Sequence, residues 1–338
     1  MICTPSDKHS LSRRDALKGA ALALTAGAAS WPLRAIAGAE SEPEEVRLAQ
    51  AGPGSADTIT RPLIERGGPE LTKGLRLSWV ESNPGQIQLQ LLSGALNIGA
   101  FGSIGAAIAV EHGTDIVLIG PSLNNHGRWI VRDNSPYRSP KDLIGKRIAT
   151  QPETTETFLQ ARIAAALAGL DLKRDFQLFF GPPTANLALF ERGDVDAVIL
   201  LEPTATRLVA AGAREIARVG DMWQEATGDS APPFLAGRAA QRGWLDAHRA
   251  LAKRIVDIEV EVNRQVVKNP QLLAELHGAM GIPDSERAAI ELLPKRLAGS
   301  YATEWGPDVF EVIDRQINVA VKLGILTARP ASPIYATL

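Results

Sequence analysis

The sequence is poor in the residues that build disulfides, thiolate sites and membrane spans. Its 338 residues include one cysteine, Cys3, so a disulfide framework and a cysteine-ligated metal site are excluded. The 36 basic and 38 acidic residues nearly balance, and the net charge of -2 leaves no electrostatic footprint for nucleic acid. Beyond the N-terminal segment, no apolar stretch approaches the ~20 residues that a membrane-spanning helix needs. Aromatic residues make up 5% of the chain, too few to make an aromatic sandwich around a ligand a safe expectation.

The motifs of common enzyme classes are missing as well. There is no Gly-x-Ser-x-Gly elbow and no Walker sequence, and residues 99–102 (GAFG) lack the full dinucleotide-binding pattern. The five histidines include no pair at metal-ligand spacing; they are His9, His112, His126, His248 and His277. We therefore expect no enzyme activity, no cofactor and no metal ion.

The N-terminus has the pattern of a twin-arginine export signal. Arg13 and Arg14 precede a weakly apolar stretch, residues 19–31, that is rich in alanine and glycine. Small residues suited to cleavage follow at 35–37 and 37–39, and the alternative is a chance basic N-terminus on a cytosolic protein. Cys3 precedes the apolar stretch, so it cannot be a lipid-attachment cysteine at the cleavage point. We expect residues 1–39 to be a signal recognised by the twin-arginine machinery, and an untethered periplasmic protein after cleavage near Ala37 or Ala39.

The middle of the chain alternates strand-like and helix-like segments. Residues 147–150, 176–180 and 195–201 have strand character, and residues 158–170 and 184–193 between them have helical spacing. This order is typical of a parallel sheet with crossover helices, which binds ligands beyond the carboxyl ends of its strands. Residues 46–119 repeat the same plan. Two such units, joined near 123–129 and again near 230–237, predict an α/β protein with two lobes.

Three segments together resemble a known family. They are LLSGALNIGAFGSIGAAIAVEHGTDIVLIG (91–120), SPKDLIGKRIAT (139–150) and LFERGDVDAVILLEP (189–203). In order and spacing they are similar to the periplasmic substrate-binding proteins of ABC importers, within the nitrate, sulfonate and taurine group that also includes thiamine-pyrimidine-precursor binders. The resemblance covers roughly two thirds of the chain. A ligand-sensing domain of a transcription regulator shares the fold, but the export signal disfavours it.

The resemblance implies a type II periplasmic-binding-protein fold, with a mostly parallel sheet flanked by helices in each lobe and a ligand cleft between the lobes. The implied lobes are residues 44–123 with 239–329, and residues 124–238. It also implies a monomer that captures a small solute for an ABC permease and its ATPase. The expected ligand-binding residues lie in turns after strands: Gly52, Gly54, Phe101, Gly102, Ser103, Asn125, Thr154, Thr155 and Glu202.

The class of solute is less constrained by the sequence. An organic anion or zwitterion, such as an aliphatic sulfonate or taurine, is the first expectation. Nitrate, bicarbonate, a pyrimidine-type vitamin precursor and a periplasmic enzyme on the same fold are the alternatives. Glu153 and Glu156 are expected to point to water, and Glu202 either contacts the ligand or caps a helix. Arg128 either clamps a ligand acid group or is an exposed strand residue, and Trp79 either stacks on a ligand or packs in the core.

The export signal can be tested by substitution. Arg13→Lys combined with Arg14→Lys keeps the charge but removes the paired arginines, so the precursor should remain inside the cell. Immunoblotting of cytoplasmic and periplasmic fractions measures the outcome. Normal export and processing of the double variant would contradict the twin-arginine assignment.

Overall fold

Strands and helices alternate along the chain as the sequence predicts. The computed structural model describes residues 43–338, which form one compact unit. The strands are β1 Glu45–Ala51, β2 Arg76–Ser82, β3 Gly99–Phe101, β4 Ile116–Asn124, β5 Gly127–Val131, β6 Arg147–Thr150, β7 Gln177–Phe180, β8 Ala197–Leu201, β9 Arg214–Arg218 and β10 Phe234–Gln241. The helices are α1 Thr60–Arg66, α2 Pro84–Leu92, α3 Ser103–Glu111, α4 Glu156–Leu167, α5 Pro183–Arg192, α6 Thr204–Ala210, α7 Val219–Thr227, α8 Arg242–Ala247, α9 Arg249–Lys268, α10 Gln271–Glu275, α11 Arg287–Leu297 and α12 Pro307–Lys322.

The first sheet, here called sheet I, has the strand order β2-β1-β3-β10-β4. β1 and β2 are parallel, and Leu48 of β1 forms a parallel bridge with Ile98, just before β3. The N–H of Ala49 donates to the carbonyl of Ile98 at 3.2 Å, which joins β1 to the rest of the sheet. β10 is antiparallel to both of its neighbours. Four strands of sheet I therefore run one way and β10 runs the other.

The second sheet, sheet II, has the order β7-β6-β8-β5-β9. β6 is parallel to β7 and β8, whereas β5 is antiparallel to β8 and β9. The reversed strand of each sheet, β5 or β10, is the first strand that the chain forms after passing from the other sheet. β5 follows β4 directly, whereas α7 lies between β9 and β10.

Both sheets are covered by helices on two faces. In sheet II, Trp129 and Ile199 pack on one face with Phe158 of α4, while Ile130 and Val198 pack on the other with α5 and α6. Sheet I packs α9 on one face and α2, α3 and α12 on the opposite face. Burial on both faces explains why β4 and β8 are continuous apolar runs instead of alternating ones.

The chain passes between the sheets at two adjacent segments, residues 124–127 and 233–234, here called the crossing. The N–H of Asn125 donates to the carbonyl of Pro233 at 2.8 Å, so the two segments lie side by side. The side-chain amides of Gln160 and Gln316 donate to the carbonyl of Phe234 at 2.5 and 2.9 Å. Both amides are buried, and they connect the crossing to α4 and α12.

Most predicted elements are present with shifted ends. Thr155 is the N-cap of α4, since its hydroxyl accepts from the N–H of Phe158, and Gly169 follows α4 with φ of 80°. β3 is Gly99–Phe101, so Phe101, expected in a turn after a strand, is the last residue of the strand itself. β9 and α7 were not predicted. β9 is a half-buried edge strand with four charged or small residues, which gives a weak apolar pattern.

Two sequence expectations concern the N-terminal export signal and membrane-spanning helices. The export signal and its cleavage sites lie outside the described residues and stay predictions. Within residues 43–338, the helices all fall short of the length and apolarity that crossing a membrane requires.

Close packing of α9 on sheet I gives a stability prediction. A Cβ at Gly120 of β4 would lie 2.4 Å from Cγ1 of Val256, a branched side chain held in the core. Gly120→Ala should therefore lower the free energy of unfolding by about 1–3 kcal/mol, measured by urea denaturation. The control is Gly243→Ala, because a Cβ at exposed Gly243 meets nothing within 4 Å. Equal stability of both variants would show that β4 and α9 do not pack this closely.

Candidate functional site

Turns from the two sheets meet where their strands end. Ser55, after β1, forms an antiparallel bridge with Pro203, after β8. The hydroxyl of Thr204 donates to the carbonyl of Gly54 at 3.2 Å. Gly54 has a φ of 88°, which glycine adopts without strain, and a Cβ there would lie 3.0 Å from Cβ of Pro183. The turn after β1 is thus fitted against the second sheet.

A small cavity lies behind these turns, between the two sheets. Its volume is about 70 Å³, and its walls come from β1, the turn after it, α2, β3, β4, β8, β10 and the start of α4. Its polar lining residues are Ser55, Asp57, Gln88, Thr155, Glu156 and Thr157. Within residues 43–338, that lining contains two carboxylates and no lysine, arginine or histidine. The cavity is therefore acidic.

One of the two carboxylates, Glu156, is bound by the N-terminus of a helix in the other half of the molecule. Glu156 is the first residue of α4, yet its oxygens accept from the N–H groups of Ile104 and Gly105 in α3, at 3.3 and 3.0 Å. The hydroxyl of Ser103 lies 3.4 Å away, and Gln160 donates at 2.9 Å. The N-terminus of a helix carries unpaired donors and a partial positive charge, which favours an anion at this position.

Gly102 leaves the space that the Glu156 carboxylate occupies. A Cβ at Gly102 would lie 2.1 Å from both Cγ and Cδ of Glu156, so only glycine fits before α3. Glu156 is buried, and burial raises its pKa, although the hydrogen bonds from Gln160, Gly105, Ile104 and Ser103 act in the opposite direction. The expectation that Glu156 points to water is wrong, because its side chain turns from α4 toward α3. Glu153 is exposed as expected and pairs with Lys173 at 2.5 Å.

The second carboxylate, Asp57, belongs to a buried ionic cluster. Its oxygens lie 3.2 Å from both terminal nitrogens of Arg238 and 3.1 Å from the hydroxyl of Ser122. Nε of Arg238 also lies 3.1 Å from Oε2 of Glu259, an ion pair that is not aligned as a hydrogen bond. One guanidinium thus serves two carboxylates, and burial raises the pKa of Glu259 to about 7. A protonated Glu259 leaves the cluster neutral.

A larger, mostly apolar groove adjoins the cavity. Its volume is about 380 Å³, and it runs between α2, α3 and residues 153–154. Gln88 and Phe101 line both spaces. The groove walls include Leu89, Leu92 and Ile108, so the groove suits an apolar part of a molecule whose polar end enters the cavity.

Comparison with models of known protein families identifies the family of this chain. The model of the phosphonate ABC-transporter periplasmic substrate-binding protein family matches residues 73–268, more than half of the chain. The chain belongs to this family. It is a periplasmic substrate-binding protein of an ABC transporter, and the predicted relationship to that class is confirmed.

Solved structures show the same fold. The alkanesulfonate-binding protein SsuA from Xanthomonas axonopodis pv. citri, bound to MOPS, is 18% identical with a TM-score of 0.72, covering 88% of this chain and 100% of that one. The aliphatic sulphonate binding protein SsuA from Escherichia coli is 20% identical with a TM-score of 0.65, covering 85% and 95%. The two-lobed type II periplasmic-binding-protein fold predicted from the sequence is confirmed.

A curated relative is an enzyme. The ATP phosphoribosyltransferase of Nitratidesulfovibrio vulgaris is 28% identical over 183 residues, which cover 49% of this binding protein. The chain spans only 58% of that enzyme's length. Within the described part of this binding protein, no group of three or more His, Cys, Asp or Glu residues is placed to hold a metal ion.

The structure brings some of the expected ligand-binding residues of this binding protein together. Phe101, Gly102 and Thr155 line the cavity, and Thr154 lines the groove. The other five lie outside both linings: Gly52, Gly54, Ser103, Asn125 and Glu202. Ligand contact stays a prediction for all nine. Sequence reasoning missed Ser55, Asp57 and Gln88; a signal for the first two was available, since they directly follow the glycine-containing turn after β1.

The polar atoms of the five other residues are used within the binding protein itself. Glu202 is fully buried; Arg296 and Arg128 lie 2.7 and 3.3 Å from its Oε1, and Thr206 donates to its Oε2 at 2.6 Å. The side chain of Asn125 donates to Gln160 at 2.6 Å, at the crossing. Glu202 therefore belongs to an ion-pair cluster between α11 and sheet II.

Two further expectations are settled by these contacts. Arg128 is neither exposed nor open to a ligand, because it is buried between Glu202 and Glu215, and burial lowers its pKa. Trp79 packs against the apolar clusters next to α9 and lines neither the cavity nor the groove. The packing alternative for Trp79 is the one observed.

The buried cluster predicts a pH dependence of stability. Because the pKa of Glu259 is about 7, the folded protein keeps a proton that the unfolded chain releases near the ordinary value of about 4.3. This stabilisation is complete below the unfolded-state pKa and is lost as the pH rises through about 7. Glu259→Gln is uncharged at every pH. The stability of the wild type relative to this variant should therefore fall between about pH 5 and about pH 8 in urea titrations.

Comparison with Glu259→Gln also separates the effect of Glu259 on stability from the effect of a second buried group, His126. Burial lowers the pKa of His126 to about 4, so this histidine destabilises the fold as the pH falls below about 6.5. Both proteins contain His126, and the difference between them cancels its effect. A difference in stability that stays constant across the titration would contradict the raised pKa of Glu259.

Proposed function

We propose that this binding protein captures a small organic solute that carries a protonated amine or equivalent hydrogen-bond donors. A taurine-like zwitterion is our first candidate, and delivery is to a membrane permease driven by a separate ATPase. The observation that supports this choice is the lining of the inter-sheet cavity. Asp57 and Glu156 line it, and its walls within residues 43–338 contain no basic side chain.

Electrostatics favours a cationic group in such a cavity. Bringing an anion close to the Glu156 carboxylate, which is largely removed from water, costs energy, because like charges interact strongly at low dielectric. An ammonium group gains from the same arrangement. This argument disfavours nitrate and bicarbonate, which were alternatives in the sequence analysis. It also disfavours aliphatic sulfonates without an amine, which were part of the first expectation.

The cavity and the adjoining groove would each hold a different part of the solute. The cavity of about 70 Å³ holds a small polar group, while ligand pockets are typically about 300–1,000 Å³. The groove of about 380 Å³ provides the remaining room and presents mainly apolar walls. A solute with a charged end and an aliphatic or planar body fits this division.

Capture requires the two lobes to move apart and close again. We retain the lobe bounds 44–123 with 239–329, and 124–238, as part of this proposal. Under these bounds, several contacts join the lobes, among them the bridge of Ser55 with Pro203 and the pairs of Arg296 with Glu202 and Arg207 with Glu286. The structure then represents a closed form, and a solute enters after these contacts open.

The enzyme alternative rests on the similarity to ATP phosphoribosyltransferase. Phosphate groups are bound in proteins by N–H groups and by arginine or lysine side chains. The N–H groups of Ile104 and Gly105 are bound to Glu156, and the cavity walls of the described residues lack arginine and lysine. Solute binding is therefore the better-supported function.

A binding screen tests the solute class. Thermal-shift measurements should show stabilisation by taurine or related amines, and none by nitrate, bicarbonate or ethanesulfonate, because only the amines complement the two carboxylates. Mass spectrometry of protein taken from the periplasm identifies any solute that is bound there. Stabilisation by nitrate alone would overturn the proposed class.

Gln88 provides a site-directed check. Its side chain lines both the cavity and the groove, so Gln88→Ala should weaken binding of the identified solute about tenfold or more, measured by calorimetry. Gln271→Ala is the matched control, since Gln271 is exposed at the start of α10 and lines neither space. Equal affinities in both variants would show that the solute binds elsewhere.

A further inference from the structure

Glu156 explains how this cleft would select solutes by charge, and the explanation rests on the proposed solute-binding function. We propose that Glu156 supplies, from within the chain, the anion that the first turn of α3 would otherwise take from a solute. Glu156 is thereby a specificity-determining residue that excludes solutes needing an acid group at this position. It directs selection toward solutes that present a donor or a positive charge.

The contacts of Glu156 are those that an acidic ligand would need. Oε1 faces the N–H of Ile104 and the amide of Gln160, and Oε2 faces the N–H of Gly105. The hydroxyl of Ser103 completes the set of donors. Both oxygens are engaged, so a phosphonate, sulfonate or carboxylate of a solute finds these donors already occupied.

The residues around Glu156 leave room for its side chain at the first turn of α3. Gly102 lacks the Cβ that would lie 2.1 Å from the Glu156 side chain, and α3 is nine residues long, enough for its first turn to be a well-formed anion site. Glu156 also lines the cavity beside Gly102 and Phe101. Asp57 lies in the same lining, and Arg238 balances its charge.

A purely structural role is the alternative explanation. If Glu156 only ties α4 to α3, its removal destabilises the fold but leaves the preference for solute charge unchanged. If Glu156 sets that preference, removing the carboxylate vacates the donors of α3 and creates an anion site. Gain of anion binding separates the two roles.

The experiment compares wild type, Glu156→Ala, Glu156→Gln and the control Glu225→Ala by isothermal calorimetry at one ionic strength. Glu225 is an exposed glutamate of α7, so its loss changes net charge equally. The probes are methylphosphonate, ethanesulfonate, taurine and ethanolamine. Glu156→Ala should bind methylphosphonate or ethanesulfonate at least tenfold more tightly than wild type and Glu225→Ala do.

Glu156→Gln keeps the size of the side chain without its charge, which protects the test if Glu156→Ala fails to fold. It should gain no anion binding and should bind the amine probe that wild type prefers about tenfold less tightly. Tight binding of methylphosphonate by wild type, or unchanged selectivity in both Glu156 variants, would overturn the role of Glu156 while leaving solute capture intact. Failure of wild type to bind any probe or any solute from periplasmic extract would instead overturn the proposed function.

Discussion

The structure depends on how two chain segments pass together between two sheets. At the crossing, the backbone of Asn125 bonds to Pro233, and three side-chain amides satisfy the polar groups left between the sheets. Buried backbone groups must be paired, and here amides from α4 and α12 pair them in place of a continuous ladder. The bridge of Ser55 with Pro203 and the hydrogen bond of Thr204 with Gly54 add to this narrow connection.

The same amides link the connection to the site. Gln160 accepts from Asn125, donates to the carbonyl of Phe234 and also donates to Glu156. The position of the Glu156 carboxylate is therefore tied to the geometry of the crossing by one side chain. Gln160 therefore bonds at once to both chain segments of the crossing and to the Glu156 carboxylate.

Local patterns predicted the alternation of strands and helices, the family resemblance implied the type II fold, and tertiary contacts decided the surroundings of the site residues. The apolar runs of β4, β6 and β8, the cap at Thr155 and the glycines after helices could all be recognised in the sequence. Phe101, Gly102 and Thr155, expected from their places at strand ends, line the cavity, and their contact with a ligand stays a prediction. The role of Glu156 could not be inferred, because its partners are more than 50 positions away in the chain.

Two charged residues considered as ligand contacts have partners that the sequence does not reveal. Glu202 and Arg128 look available in the sequence, but each is paired with a residue on a distant element, Arg296 or Glu215. A charge pattern reveals which groups exist, whereas the burial and pairing that decide their use arise only when the elements pack together. Edge strand β9 was missed because its few apolar residues give no clear period.

The missing Cβ at Gly102 has a consequence for relatives of this protein. Any other residue at that position would collide with the side chain of Glu156, so positions 102 and 156 form a linked pair. A homologue with a bulkier residue at 102 must place a shorter side chain at 156. The two positions are therefore expected to vary together among homologues.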